Sequence, residues 1–208
     1  DDEHVLKQAI HSKAKKVFFS MTQKVAKGTF LEGNFITSSF NEKEKHFLSV
    51  DGLRPPLKFQ IENILGAVAV TSLLNVTKDD VAKVATNFKG LDHRIELVRT
   101  VHGVDFVDDS KGTNVGALHK SLENFSRPII LIAGGKDKGG DFQTLKIPFK
   151  KKVKHLVLIG ETKDKFREIL NGSFSYEDAE SMEDAVERAM KKARSGDIVL
   201  LSPGCSSF

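Results

Sequence analysis

From about residue 92 onward, short apolar runs at 95–101, 105–107, 129–133, 156–159 and 198–201 alternate with amphipathic segments such as 115–125 and 182–193. This alternation constrains the fold more than any other feature. Apolar strands separated by amphipathic helices close into a mostly parallel sheet with helices on both faces, because each helix covers the sheet while returning the chain to start the next strand. Ahead of residue 92 the pattern differs. Residues 3–13 fit a short helix and Lys16-Val17-Phe18-Phe19-Ser20 a buried strand. Short alternating stretches around Thr29-Phe30-Leu31, Phe35-Ile36-Thr37 and His46-Phe47-Leu48-Ser49-Val50, with turn chemistry from Gly28, Gly33 and Asn34, predict an antiparallel patch. Residues 61–76 are apolar on more than one face and predict a well-buried helix. Thr77-Lys78-Asp79-Asp80 reads as the cap of a further helix reaching about Phe88. The change of pattern at Lys89-Gly90-Leu91 divides the chain into domains over 1–91 and 92–208.

Composition narrows the function classes. A chain of 208 residues with 39% hydrophobic content can bury a real core. Its 32 Lys and Arg against 28 Asp and Glu leave a net charge of +4, which suits anionic small molecules such as nucleotides as well as nucleic acid. No basic stripe with interleaved aromatics appears, so nucleic acid is not an expected partner. The single cysteine, Cys205, leaves no internal disulfide, and none of the seven histidines is spaced as a zinc pair on one helix. No apolar run approaches the roughly 18 to 20 residues of a membrane span. A cytoplasmic protein without membrane association is expected. The opening Asp1-Asp2-Glu3 without Met and the stop at Ser206-Ser207-Phe208, directly after a strand, read as part of a longer polypeptide.

In open α/β sheets ligands gather at the carboxyl ends of strands, which directs attention to three loops. Val107-Asp108-Asp109-Ser110-Lys111-Gly112-Thr113-Asn114 carries two acids, two hydroxyls and a lysine into a helix start. Lys111 and Thr113 could hold an anion there and a carboxylate could steady a nucleotide; an ordinary capped junction is an equally good reading. Ala133-Gly134-Gly135-Lys136-Asp137-Lys138-Gly139-Gly140-Asp141-Phe142 lets backbone amides and two lysines approach a ligand, although it lacks the frame of a P-loop, and a flexible turn would have the same composition. Ser202-Pro203-Gly204-Cys205-Ser206-Ser207 presents hydroxyls and amides; Cys205 has no histidine nearby in sequence to activate it and reads as a packed small residue. His93-Arg94 opens the second domain, where the arginine could meet a ligand in an interdomain cleft or simply pair with Glu96.

Taken in order, His93-Arg94-Ile95-Glu96, Asp108-Asp109-Ser110-Lys111-Gly112-Thr113-Asn114, the 134–142 loop and Leu200-Leu201-Ser202-Pro203-Gly204-Cys205-Ser206-Ser207 resemble the D-glutamate-adding branch of the Mur ligases. The resemblance spans nearly the whole chain. It implies the latter part of a central P-loop-type ATPase domain over 1–91, followed by a Rossmann-like C-terminal domain, truncated at its end, over 92–208. It further implies ATP-dependent ligation of D-glutamate to UDP-N-acetylmuramoyl-L-alanine through an acyl phosphate, with ATP and Mg2+ as cofactors, in a monomer. Carried over by position, Arg94 and Asp109 resemble ATP contacts, Asn63 an asparagine beside the adenine, and Lys111 a group near the phosphates or incoming substrate. Asp109 and Lys111 would serve the chemistry directly. Thr113, Lys138 and Ser207 resemble groups that bind the carboxylates of D-glutamate. No residue is assigned to a metal.

The chain departs from the family at Phe59-Gln60, where His-Asn is usual, so that Gln60 would replace an amide contact, and at Gly112, where Ala is frequent. The P-loop lysine, the UDP-binding domain and the lysine that the family carbamylates are not among these residues, so the fragment by itself is expected to be inactive. A sibling Mur ligase, a folylpolyglutamate synthetase-like ligase and a non-catalytic nucleotide- or amino-acid-binding module are the alternative readings.

Overall fold

The computed structural model describes residues 2–40, 43–53, 60–74, 76–170 and 174–206. Its Cα positions fall into two units, Asp1–Gly90 and Leu91–Phe208.

In the first unit, helix α1 (Glu3–His11) is capped by Asp2, whose carboxylate accepts from the Val5 N–H at 2.9 Å, and none of its residues is buried. Strands β1 (Phe18–Ser20), β2 (Gly28–Glu32), β3 (Phe35–Phe40) and β4 (Lys43–Ser49) then form a sheet in that order. β2, β3 and β4 are antiparallel, as the alternating stretches predict, while β1 runs parallel to β2. The expectation of a buried strand at 16–20 is corrected. Among the described residues β1 has a neighbouring strand on one side only, and Phe18 and Phe19 stay 36% and 42% exposed while Ser20 is buried.

Helix α2 (Ile61–Thr71) packs Leu65 and Val68 against Ile36 of β3. The Thr29 hydroxyl donates to the Leu65 carbonyl at 2.7 Å, tying the helix to β2. The helix expected over 61–76 is shorter, passing at Ser72 into a 3-10 turn, and it is not buried all round. The sheet covers one of its faces and leaves Val70, Leu73 and Leu74 at 61%, 56% and 71% exposure. Helix α3 (Lys78–Asn87) begins with a capping box in which Thr77 and Asp80 satisfy each other's backbone N–H, as that tetrapeptide predicts.

In the second unit, β5 (Glu96–Val101) and β6 (Val104–Asp108) form a hairpin across His102 and Gly103, both at positive φ. There follow α4 (Val115–Glu123), β7 (Ile129–Ala133), α5 (Lys146–Lys152), β8 (Val153–Leu158), α6 (Lys163–Leu170), β9 (Tyr176–Asp178), α7 (Met182–Lys192) and β10 (Ile198–Leu201). The sheet order is β5-β6-β10-β7-β8-β9, and every pairing except β5 with β6 is parallel. Ile130 and Ile132 of β7 pack with Ala185 and Ala189 of α7. The two-residue period of a strand turns Ile129, Leu131 and Ala133 to the other face, so both faces of the central strand are covered and all five of its residues are buried. Phe149 of α5 stacks on Phe166 of α6 with centroids 6.0 Å apart.

Candidate functional site

Strand order builds the site. Because β10 lies between β6 and β7, the carboxyl ends Asp108, Leu201 and Ile132 stand in register, and the three loops that leave them are neighbours. Backbone bonds knit these loops together. Asp109 N–H donates to Leu201 O at 2.8 Å, Ser202 N–H to Ile132 O at 3.1 Å, Gly134 N–H to Pro203 O at 2.9 Å and Gly204 N–H to Gly112 O at 2.8 Å. Lys136 and Ser206 exchange a further pair at 3.0 and 3.1 Å. Gly135 is required at this junction: its φ is +151° and an added Cβ would stand 2.2 Å from the Ser206 carbonyl oxygen.

Asp109 sits beneath the loops, 4% exposed, with Oδ2 accepting from the Ser121 hydroxyl of α4 and from the Ser202 hydroxyl at 2.8 Å. Burial raises its carboxyl above the ordinary range, against the opposing bonds from Ser121, Ser202 and the Ile95 N–H and the charge of Arg94. A Cβ on Gly112 would lie 2.7 Å from Asp109 Oδ2 and 2.8 Å from Ser202 Oγ, so glycine here leaves the carboxylate its room. This carboxylate faces inward, joining the β6 loop, the β10 loop and α4. Ser121 and Ile95 lie outside the three loops, and no periodicity of the sequence links them to Asp109.

Lys111, Thr113 and Lys138 are exposed on the outer surface of the loops. Asn114 follows and caps α4, its side chain accepting from the Ala117 N–H at 2.9 Å. Asp137 is engaged by Lys165 and by the Gly139 N–H at 2.9 Å, and these bonds lower its carboxyl pKa. Among the described residues, neither Lys111 nor Lys138 has a carboxylate partner. Ser207 lies outside the described residues. Cys205 is 3% exposed, its thiol is pushed up in pKa by burial, and its sulfur lies 3.3 Å from the Thr162 hydroxyl. It packs.

Arg94 is half-buried between two residues at positive φ, His93 at 63° and Ile95 at 51°. The His93 ring donates from Nδ1 to Asp108 Oδ2 at 2.8 Å, and its backbone N–H donates to Glu96 Oε2 at 2.9 Å. The ligand atoms of His93, Glu96 and Asp108 lie within 4.8 Å of one another. That donor set includes an imidazole and suits a transition metal better than Mg2+, which selects oxygen ligands.

In the first unit, a cavity of about 320 Å³ runs between α2 and α3, lined by apolar side chains including Ile64, Val68, Val81 and Phe88. Gln60 and Asn63 also line it, and Asn63 Nδ2 stands 3.5 Å from Gln60 Oε1. The Gln60 Nε2 is buried without a hydrogen-bond partner among the described residues.

The second unit is thus an α/β domain that gathers hydroxyls and exposed lysines at the carboxyl ends of parallel strands. Residues 93–205 match the Mur ligase, glutamate ligase domain, and the chain belongs to the Mur ligase family. It is 38% identical over 207 residues to UDP-N-acetylmuramoylalanine--D-glutamate ligase of Syntrophus aciditrophicus, covering 100% of this chain and 45% of that protein. To the ligase of the same name from Alkaliphilus metalliredigens it is 41% identical over 197 residues, covering 94% and 43%. The chain therefore spans under half the length of these relatives. In fold it is similar to the MurF ligase of Thermotoga maritima solved in complex with ADP, with a TM-score of 0.64 at 16% identity over 97% of this chain and 48% of that one. Among the described residues, no helix is long and apolar enough to cross a membrane.

Proposed function

We propose that this chain is the amino-acid-receiving portion of a cytoplasmic, monomeric ligase that uses ATP to join D-glutamate to UDP-N-acetylmuramoyl-L-alanine in peptidoglycan synthesis. The convergence of the β6, β7 and β10 loops, with two exposed lysines that lack carboxylate partners among the described residues, is the observation that supports the reading most directly. D-glutamate brings two carboxylates, and binding them calls for fixed donors and uncompensated positive charge. Thr113, Lys138 and Ser207 are assigned to those carboxylates. The names borne by the relatives from Syntrophus aciditrophicus and Alkaliphilus metalliredigens favour D-glutamate over the amino acids of sibling ligases.

Arg94 and Lys111 are assigned to the phosphates of ATP, and Gln60 and Asn63 to its adenine. The cavity between α2 and α3 fits a flat base, with apolar walls and an amide pair that includes an unpartnered buried donor. ATP, when bound, supplies the phosphoryl group that activates the carboxylate of the nucleotide-sugar substrate for attack by the amine. This chain's own residues hold the amino acid, offset phosphate charge and exclude water. Asp109, expected from the resemblance to contact ATP and serve the chemistry directly, is buried with its carboxylate engaged by Ser121 and Ser202, and is assigned instead to holding the loops in place. Mg2+ accompanies ATP in the proposed reaction, but the His93, Glu96 and Asp108 donor set does not fit it, and no step here is assigned to it.

The test is ADP release by the complete ligase with UDP-N-acetylmuramoyl-L-alanine, offered D-glutamate, L-lysine, L-alanine or meso-diaminopimelate in turn. Turnover with D-glutamate alone is expected. Turnover with another of the four would make the protein a sibling ligase, and binding of ATP and D-glutamate without turnover would make it a binding module.

A further inference from the structure

Two non-glycine residues in the left-handed region flank a single arginine. His93 has φ +63° and Ile95 has φ +51°. That region is sparsely populated by residues with a Cβ, and for a β-branched side chain such as Ile95 it is an outlier. Such a backbone persists only where its surroundings over-determine it, and it concentrates at functional sites.

The surroundings here are specific. β5 and β6 pair with Glu96 opposite Asp108, so the carboxyl end of β6 lies beside the residue that follows the 93–95 segment. Asp108 at that end accepts from the His93 ring at 2.8 Å. Glu96 accepts from the His93 N–H at 2.9 Å, and the His93 carbonyl accepts from the Lys111 N–H at 3.0 Å. Asp108 is itself fixed, its Oδ1 accepting from the Ser110 N–H at 2.8 Å.

We infer that Asp108 and His93 are positioning residues for Arg94: their bond, with those of the His93 backbone to Glu96 and Lys111, clamps the strained turn and so sets the direction in which the guanidinium meets a nucleotide phosphate. The target of Arg94 rests on the ligase reading above; the clamp does not.

The His93 pKa is raised by its bond to Asp108 and by the charge of Asp108, with Glu96 and Asp92 adding to it. Burial works against ionisation of Asp108, but the bonds from His93 and Ser110 outweigh it and lower its pKa. The sign follows. The charged pair is complete below the ordinary histidine pKa and weakens as pH rises through the raised one, where the neutral ring keeps the Nδ1–H bond but loses the charge.

The experiment compares Asp108→Ala and Asp108→Asn in the complete ligase, reading KM for ATP and for D-glutamate across pH. Asp108→Ala is expected to raise KM for ATP on the order of tenfold, the scale of one charge-assisted hydrogen bond, with KM for D-glutamate within about twofold. Asp108→Asn keeps an acceptor for His93 and is expected to restore KM for ATP to within about threefold of the parent while abolishing its rise at high pH. An unchanged KM for ATP in the alanine variant, a parallel rise for both substrates, or failure of the asparagine variant to rescue would overturn the clamp. If the ligase shows no D-glutamate-dependent ADP release, the clamp is read without activity, from NMR of this chain. Asp108→Ala should then lower the His93 ring pKa and speed amide exchange at Arg94 and Ile95. An unchanged ring titration or unchanged exchange overturns it.

Discussion

In the second unit, the central strand β7 buries Ile129, Ile130, Leu131, Ile132 and Ala133, whereas in the first unit the buried positions of β2 and β3 include Thr29, Thr37, Ser38 and Ser39. The second unit is held by apolar side chains that meet helices on both faces of a sheet. Much of the first is fastened by hydroxyls, with Thr29 bonded to the Leu65 carbonyl at 2.7 Å and Thr37 to the His46 ring at 2.9 Å. Apolar burial is non-directional and adds over many contacts, while a buried hydroxyl depends on one partner. The candidate amino-acid site accordingly stands on the unit with the larger apolar core. The cavity assigned to adenine lies between helices α2 and α3, and α3 buries no residue of its own.

Substitutions in the two units should sharpen that contrast. Leu131→Ala removes a fully buried side chain and is expected to cost the second unit about 2 to 5 kcal/mol in urea unfolding. Thr37→Ala in β3 should cost the first unit about 1 to 2 kcal/mol, the worth of a buried hydroxyl bond. Equal losses would erase the distinction. Gly135→Ala forces a Cβ to within 2.2 Å of the Ser206 carbonyl at an unfavourable φ, and about 1 to 3 kcal/mol of strain should open the Lys136 to Ser206 bridge. Hydrogen exchange at those two amides checks this; protection equal to that of the parent would mean the junction is not rigid.

Lys138→Ala, on the exposed side of the same junction, should leave stability alone and raise KM for D-glutamate on the order of tenfold, with KM for ATP changed by less than about twofold. Equal effects on both substrates would remove Lys138 from the carboxylate site. The smallest effect is expected at Thr77→Ala, which deletes half of the α3 capping box and should lower the stability of the first unit by about 1 kcal/mol, readable in its thermal midpoint.

The same contrast governs what the sequence makes legible. β7 and β10 are continuous apolar runs, and the Thr77 to Asp80 cap is a local signal, so reading residues in order finds them. α5 reads Lys-Ile-Pro-Phe-Lys-Lys-Lys with Phe149 as its one buried residue, and β9 is three residues long, too short for a period to emerge. α2 looks well buried in sequence because apolar residues occupy more than one face, yet Val70 stays 61% exposed. In the site, the composition of the β6, β7 and β10 loops marks them for attention, but their convergence comes from β10 inserting between β6 and β7. The inward carboxylate of Asp109 depends on Ser121, on a helix that no local pattern ties to it. The left-handed backbone at His93 and Ile95 has no signature in residue type at all, since glycine or asparagine would be the usual occupants.

The most direct test of the central claim, that the three loops together receive D-glutamate, is to titrate D-glutamate and L-glutamate into this chain and follow backbone amide shifts by NMR. D-glutamate-specific shifts are expected at Lys111, Gly112 and Thr113, at residues 136–139 and at residues 202–206, with the amides of α1 and α3 unmoved. Shifts confined to one loop, shifts elsewhere, or equal responses to both enantiomers would contradict it.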